Sequence, residues 1–177
     1  MEEKINPWKL NLTNGIILGL VGVVYSLVMY FLDLFLNKSP GYVFMLIMIF
    51  LLFYLLKSYR DNYRHGRITY GQSVGAGVII VLYYAIIMAV FTYIIYAIID
   101  PGLVDKQLAM AEEQMVSRGT PQAAIDAGMS FTEKIMKPGV LAITSIFVTM
   151  LFGTIISLIV SIFVKKEGNP LIDTPAN

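Results

Sequence analysis

Residues 68–99 read ITYGQSVGAGVIIVLYYAIIMAVFTYIIYAII, a run of 32 positions without one Asp, Glu, Lys or Arg. A helix crosses the hydrocarbon core of a bilayer with about 20 mostly apolar residues. Three further uncharged runs of 23, 18 and 27 residues lie at Leu10–Leu32, Ser39–Leu56 and Pro138–Val164. Because each run meets or nearly meets that length, the sequence predicts an all-α membrane protein with four transmembrane helices.

The composition of the 177 residues agrees with this class. Apolar residues make up 57% of the chain and charged residues 14%, whereas globular chains have roughly 45–50% and about 25%. All 25 charged residues lie outside the four uncharged runs, and there is no cysteine for a disulfide or a thiolate metal site. We therefore expect a single membrane domain over residues 1–177, with spans at about 12–36, 42–58, 73–99 and 139–164.

The segment between spans three and four, about 101–137, is too long for a plain connection. Its first half carries Val104, Leu108 and Met115 on one helical face, and its second half starts at Thr120 and Pro121, a capping residue followed by proline at the first turn. We interpret the segment as two amphipathic helices that form a hairpin outside the membrane, packed on the spans or at the lipid interface.

The distribution of Lys and Arg predicts the orientation of the chain. Positive residues in short loops tend to stay on the cytoplasmic side. The N-terminus, the loop between spans two and three and the C-terminal tail together carry eight Lys and Arg, and the other side carries five. We therefore expect both termini to be cytoplasmic and the loop 100–138 to be periplasmic, in a multi-pass protein of the bacterial inner membrane.

Small residues recur at four-residue spacing in spans one and four. Such spacing places them on one helix face, where they let a partner helix approach closely. In span four the same face is also polar enough to line a narrow water path, so a packing seam and a channel lining both remain open. The residues are Gly15, Gly19, Gly22 and Ser26 in span one, and Ser145, Thr149, Gly153, Ser157 and Ser161 in span four.

The loop between spans two and three is rich in cations and tyrosines. Continuing span two as a helix puts Arg60 and Arg64 on one face and Tyr59 and Tyr63 on another, with Arg67 following. These five residues are candidates for contact with lipid phosphates or with an acidic partner surface. The alternative is an anchor that fixes topology, with tyrosines at the headgroup level.

No catalytic, cofactor-binding or metal-binding signature stands out. There is no zinc-protease motif, no nucleophile elbow and no phosphate-binding loop. The net charge of +1 gives no reason to expect a nucleic-acid partner. None of the uncharged runs holds an ionisable Asp, Glu, Lys, Arg or His, a type of residue that proton pumps and ion-coupled carriers usually place there.

The layout of the whole chain resembles an uncharacterised family of Bacteroidota inner-membrane proteins, domain-of-unknown-function family 4199. The resemblance lies in Tyr59 and Arg60, in Gly66 followed by ITYGQS at residues 68–73, and in the later Gly75 and Gly77. The helical insertion before span four and the ending with Lys165, Lys166, Asn169 and Pro170 also fit. The resemblance implies a bacterial envelope protein with a periplasmic third loop, and it implies no activity.

Two functions follow as expectations. The first is a non-enzymatic accessory subunit that packs against a larger envelope or secretion assembly, with membrane lipids and other integral membrane proteins as partners. The second is a small oligomeric channel or carrier, lined by the Ser/Thr/Gly face of span four.

Overall fold

The computed structural model describes residues 6–37 and 39–167. These residues fold into helices without a strand, apart from one isolated β-bridge. Lys4 and Lys38, which are among the Lys and Arg residues that predict the orientation, lie outside the described residues, as do Asn169 and Pro170. The helices are α1 (Pro7–Phe31), α2 (Ser39–Tyr63), α3 (Tyr70–Ile94, continuing as a π-helical turn over Ile95–Ile99), α4 (Gly102–Ser117), α5 (Gln122–Ile135) and α6 (Pro138–Val164).

Four of these helices are long and apolar enough to cross a membrane, which makes this an integral membrane protein. They are α1, α2, α3 together with its π-helical turn, and α6. The Glu, Asp, Lys and Arg residues that interrupt the hydropathy of the chain fall at or near the ends of these helices or between them. The expectation of an all-helical protein with four apolar spans is therefore confirmed at this level.

The first helix begins and ends about five residues earlier than the predicted span 12–36. Asn6 caps it, because its Oδ1 accepts hydrogen bonds from the amides of Trp8 at 3.1 Å and Lys9 at 3.4 Å, and Pro7 takes the first helical position. After Phe31 the chain turns, and Asp33 adopts a left-handed backbone with a φ of 57°. A capping side chain at the start of α1 and a left-handed turn after its end thus set the limits of the helix, and hydropathy registers neither.

The loop between α2 and α3 is short and tightly specified. The helix α2 runs five residues past the predicted end of its span, and His65 and Gly66 then reverse the chain with φ values of 51° and 74°. Thr69 and Gln72 open α3 as a reciprocal capping box, in which the Thr69 amide donates to Gln72 Oε1 at 3.2 Å and the Gln72 amide donates to Thr69 Oγ1 at 3.3 Å.

The chain divides into two compact units. Of the described residues, the first unit comprises those up to Ala85 and those from Thr149 onward, and the second comprises Ile86–Val148. In the first unit, α3 and α6 are antiparallel neighbours. Gly77 contacts Ser157 and Val81 contacts Gly153, and just before α3 and just after α6 Ile68 pairs with Lys166. The register is constant, because each step along α3 is matched by an equal step backwards along α6.

In the second unit, α4 and α5 pack on each other. The chain turns between them at Gly119, whose φ of 70° is left-handed, and Met115 of α4 lies against Gly128 of α5. A Cβ atom added to Gly128 would lie 3.2 Å from Met115 Cε. Leu103 and Ile125 are the buried apolar residues of these two helices.

Candidate functional site

The polar stripe of α6 packs against α3 of the same chain. A Cβ atom added to Gly153 would overlap the Val81 side chain, and one added to Gly77 would lie 2.8 Å from Ser157 Oγ. Gly153, Ser157 and Ser161 are buried, whereas Thr149 and Ser145 are half-buried. The structure therefore brings three of the five predicted stripe residues to a helix–helix contact within one chain.

The matching stripe on α3 was missed by the sequence analysis. Ser73, Gly77, Val81 and Ala85 recur every four residues, and all four are buried. Two glycines of this helix were noticed in the sequence, but the stripe includes valine and alanine, which an apolar span contains in any case. The signal that finds it is the four-residue spacing of small side chains that matches the stripe of α6.

Two hydroxyls in this seam are buried without a hydrogen-bond partner among the described residues. They belong to Ser73 and Ser161, both 0% exposed, and the α3–α6 register places these residues opposite each other. The other serines of the stripe bond to their own helix, since Ser157 Oγ donates to the Gly153 carbonyl and Ser145 Oγ to the Ala142 carbonyl, each at 2.8 Å. The contact between α3 and α6 therefore holds two polar groups, the hydroxyls of Ser73 and Ser161, whose hydrogen-bonding capacity is not met by the described residues.

The small face of α1 also lies inside the chain. Gly15 contacts Tyr83 of α3 so closely that a Cβ atom at Gly15 would overlap the tyrosine side chain. The Tyr83 hydroxyl donates to the Trp8 carbonyl at 3.4 Å. Of the remaining residues of this face, Gly19 and Gly22 are buried and Ser26 is half-buried.

Arg60 joins the end of α2 to the end of α6. Its Nε donates to Asp61 Oδ1 at 2.7 Å, and its Nη2 donates to Asp61 Oδ2 at 3.2 Å. Its Nη1 donates to the Val164 carbonyl at 3.0 Å, one of the last carbonyls of α6 and therefore one without a helical partner. Arg60 thus has a structural role within the chain.

A β-bridge reinforces this connection. The amides of Ile68 and Lys166 each donate to the other residue's carbonyl at 3.0 Å. The bridge joins the loop that contains Arg67 to the chain that follows α6, so that cations separated by about a hundred positions in sequence lie at one end of the helices. We call this set of contacts, made by Arg60, Asp61, Val164, Ile68 and Lys166, the clamp.

The other predicted contact residues of the loop differ in exposure. Tyr59 is only 1% exposed, whereas Tyr63 is 43% exposed, and their ring centroids lie 6.0 Å apart. Arg64 lies on Tyr59, with its Nε 3.4 Å from the tyrosine hydroxyl and its Cζ 5.9 Å from the ring centroid. Arg67 is exposed. Tyr59 and Arg60 therefore face the interior of the first unit, and Tyr63 and Arg67 remain at the surface.

A polar cluster in the second unit surrounds the π-helical turn. Gln107 Nε2 donates to the Tyr96 hydroxyl at 2.6 Å, and Lys106 Nζ lies 3.5 Å from Asp100 Oδ2. π-helical turns are rare and are frequently found at functional sites. This cluster could not be predicted from hydropathy, because a five-residue π turn has no hydropathy signature.

The described residues contain no group of three or more His, Asp or Glu side chains that converge as metal ligands. The profile of one family, described as a protein of unknown function (DUF4199), matches residues 13–166 of the chain. The chain belongs to this family. The match covers α2, α3 and α6 in full and α1 from residue 13 onward, together with both helices of the third loop.

Neither a curated protein nor a solved structure is detectably similar to this DUF4199 chain.

Proposed function

We infer that the protein is a non-enzymatic accessory subunit, which packs in the bacterial inner membrane against other integral membrane proteins of a larger envelope or secretion assembly. The observation that carries this proposal is an open small-residue face on α3. Gly71 and Gly75 are exposed and lie one helical turn apart, and a Cβ atom added to either would meet nothing within 4 Å. A Gly-xxx-Gly face of this kind admits a second helix at close range.

The contrast with the other glycines supports this interpretation. Gly15, Gly77 and Gly153 are filled by side chains of this chain, so their small size is explained by internal packing. Gly71 and Gly75 have no such explanation, because a Cβ atom would fit at both positions, and at Gly75, in the interior of the helix, alanine would favour the helix by roughly 1 kcal/mol. A partner helix packed against this face gives the small size of both residues a role.

The orientation is part of the same proposal. With both termini in the cytoplasm, the clamp and the open glycine face lie near the cytoplasmic surface, and α4 and α5 lie in the periplasm. The excess of Lys and Arg in the segments around the clamp supports this direction.

The test places large side chains on the open glycine face of α3. Gly71→Leu combined with Gly75→Leu should abolish co-purification of a stoichiometric membrane partner after gentle detergent extraction, as measured by mass spectrometry. Gly139→Leu is the matched control, because that glycine also lies in open space on a different helix. Recovery of only the monomer from several mild detergents with the unmutated chain would contradict the proposal.

The channel alternative receives less support. The Gly153 and Ser157 positions of its lining contact Val81 and Gly77 of α3, so these residues have no open path beside them in one chain. A channel would require the half-buried Ser145 and Thr149 or a different arrangement in an oligomer. Solute flux into liposomes that contain the purified protein tests it, and flux from the unmutated chain that is lost in Thr149→Leu would favour it.

A further inference from the structure

An apolar groove runs along the surface between α1 and α2. It has a volume of about 660 Å³ and is lined by Val21 of α1 and by residues of α2 from Val43 to Tyr54. Its lining is almost entirely hydrocarbon, and the side chains of Leu46 and Phe50 are 54% and 72% exposed. The lining of α2 extends over about 16 Å of helix, since each residue rises 1.5 Å. One leaflet of a hydrocarbon core about 30 Å thick measures about 15 Å.

A cation stands at one end of this groove. The lining residues of α2 recur every three or four positions, and Lys57 continues the same helix face one turn beyond Tyr54. Lys57 is exposed, and so is Tyr54, a residue type that favours the headgroup level. The groove therefore passes from hydrocarbon to a phenol and then to an ammonium group, in the order in which a phospholipid passes from acyl chain to phosphate.

The clamp makes this end of the groove net positive. Asp61 lies one turn beyond Lys57, but both of its carboxylate oxygens accept hydrogen bonds from Arg60. Lys57 and Lys166 lie close enough to Asp61 for their charges to act on its carboxylate. Lys57, Arg60 and Lys166 thus outnumber the anions Asp61 and Glu167 at this end, and the surplus positive charge is complementary to a phosphate group.

We propose that this groove binds an anionic phospholipid, with one acyl chain against α1 and α2 and the phosphate at Lys57. The surface is distinct from the open glycine face of α3, so this inference does not depend on the proposed accessory role.

The experiment measures lipid retention by native mass spectrometry of the full chain, reconstituted with equal amounts of phosphatidylglycerol and phosphatidylcholine. The unmutated protein should retain phosphatidylglycerol preferentially. Lys57→Gln should weaken retention about fivefold, the expected effect of one cation at an anionic surface. Leu46→Trp, which fills the groove, should weaken it at least as much.

Matched controls separate the site from general effects. Lys134→Gln removes an exposed cation of α5, and Leu151→Trp enlarges an exposed leucine of α6, and both should retain lipid as the unmutated chain does. Equal retention of both lipids, or unchanged retention in Lys57→Gln, would overturn the proposal. Glycerol 3-phosphate should not displace the lipid, and displacement at millimolar concentration would assign the site to free phosphate instead.

Discussion

At the residue scale, the fold depends most on glycines that have no room for a methyl group. Gly153 faces Val81, and Gly77 faces Ser157 and Leu56, in a seam where neighbouring atoms already touch. Membrane helices associate through such close packing, because lipid tails remove the hydrophobic driving force between helices. These positions therefore have the clearest consequences for stability.

Gly153→Ala should destabilise the protein by about 1–3 kcal/mol, the usual cost of overpacking, although alanine is the better helix former. The free energy of unfolding is measured by denaturation in mixed detergent micelles. Gly75→Ala is the control, since its Cβ atom meets open space, and it should be neutral or stabilising. Equal effects of the two substitutions would show that the seam is not packed as described.

The serines of the seam give a second prediction at this scale. A buried hydroxyl without a partner costs about 1–3 kcal/mol, so Ser73→Ala and Ser161→Ala should each leave stability unchanged or raise it by roughly 1 kcal/mol. Ser157→Ala, which removes a hydroxyl bonded to the Gly153 carbonyl, is the comparison. If Ser73→Ala loses stability and the double variant Ser73→Ala/Ser161→Ala does not, the hydroxyls of Ser73 and Ser161 are coupled.

At the element scale, the ends of the helices are determined by contacts that hydropathy cannot report. The spans themselves were predictable, because a bilayer demands long uncharged helices. Their limits were not, since Asn6 caps α1 and the Thr69–Gln72 capping box starts α3. The role of Arg60 could not be predicted from the sequence either, because the carbonyl that it binds belongs to Val164, about a hundred residues away.

Arg60→Gln should loosen the end of α6 without unfolding the protein. It removes the charge-assisted hydrogen bonds to Asp61, where water competes, and the one to the Val164 carbonyl. Hydrogen exchange at the amides of Lys165 and Lys166 should accelerate about tenfold or more.

Lys134→Gln is the control for this measurement, because Lys134 is an exposed cation of α5 that takes no part in the clamp. Its exchange rates at Lys165 and Lys166 should match those of the unmutated chain. Unchanged exchange in Arg60→Gln would mean that the β-bridge between Ile68 and Lys166 suffices to hold the clamp closed.

At the scale of the whole molecule, the helical architecture can be predicted from the sequence, whereas the faces that remain exposed cannot. Charge-free runs and a long third loop were enough to predict an all-helical protein with four spans, and the family match covers the same residues. The sequence could not distinguish small residues that pack within the chain, such as Gly15, from Gly71 and Gly75, which stay open. That distinction depends on which helices meet, and hydropathy has no information about it.

The central claim is that α1, α2, α3 with its π-helical turn, and α6 each cross a membrane once. The chain has no cysteine, so single cysteines report location without background. Asn62→Cys beside the clamp and Ser117→Cys at the end of α4 both replace exposed residues. In cells with a permeabilised outer membrane, a membrane-impermeant maleimide should label Ser117→Cys at once and Asn62→Cys only after lysis. Labelling of both before lysis, or of neither, would contradict the four-span topology, and the reverse pattern would contradict the orientation.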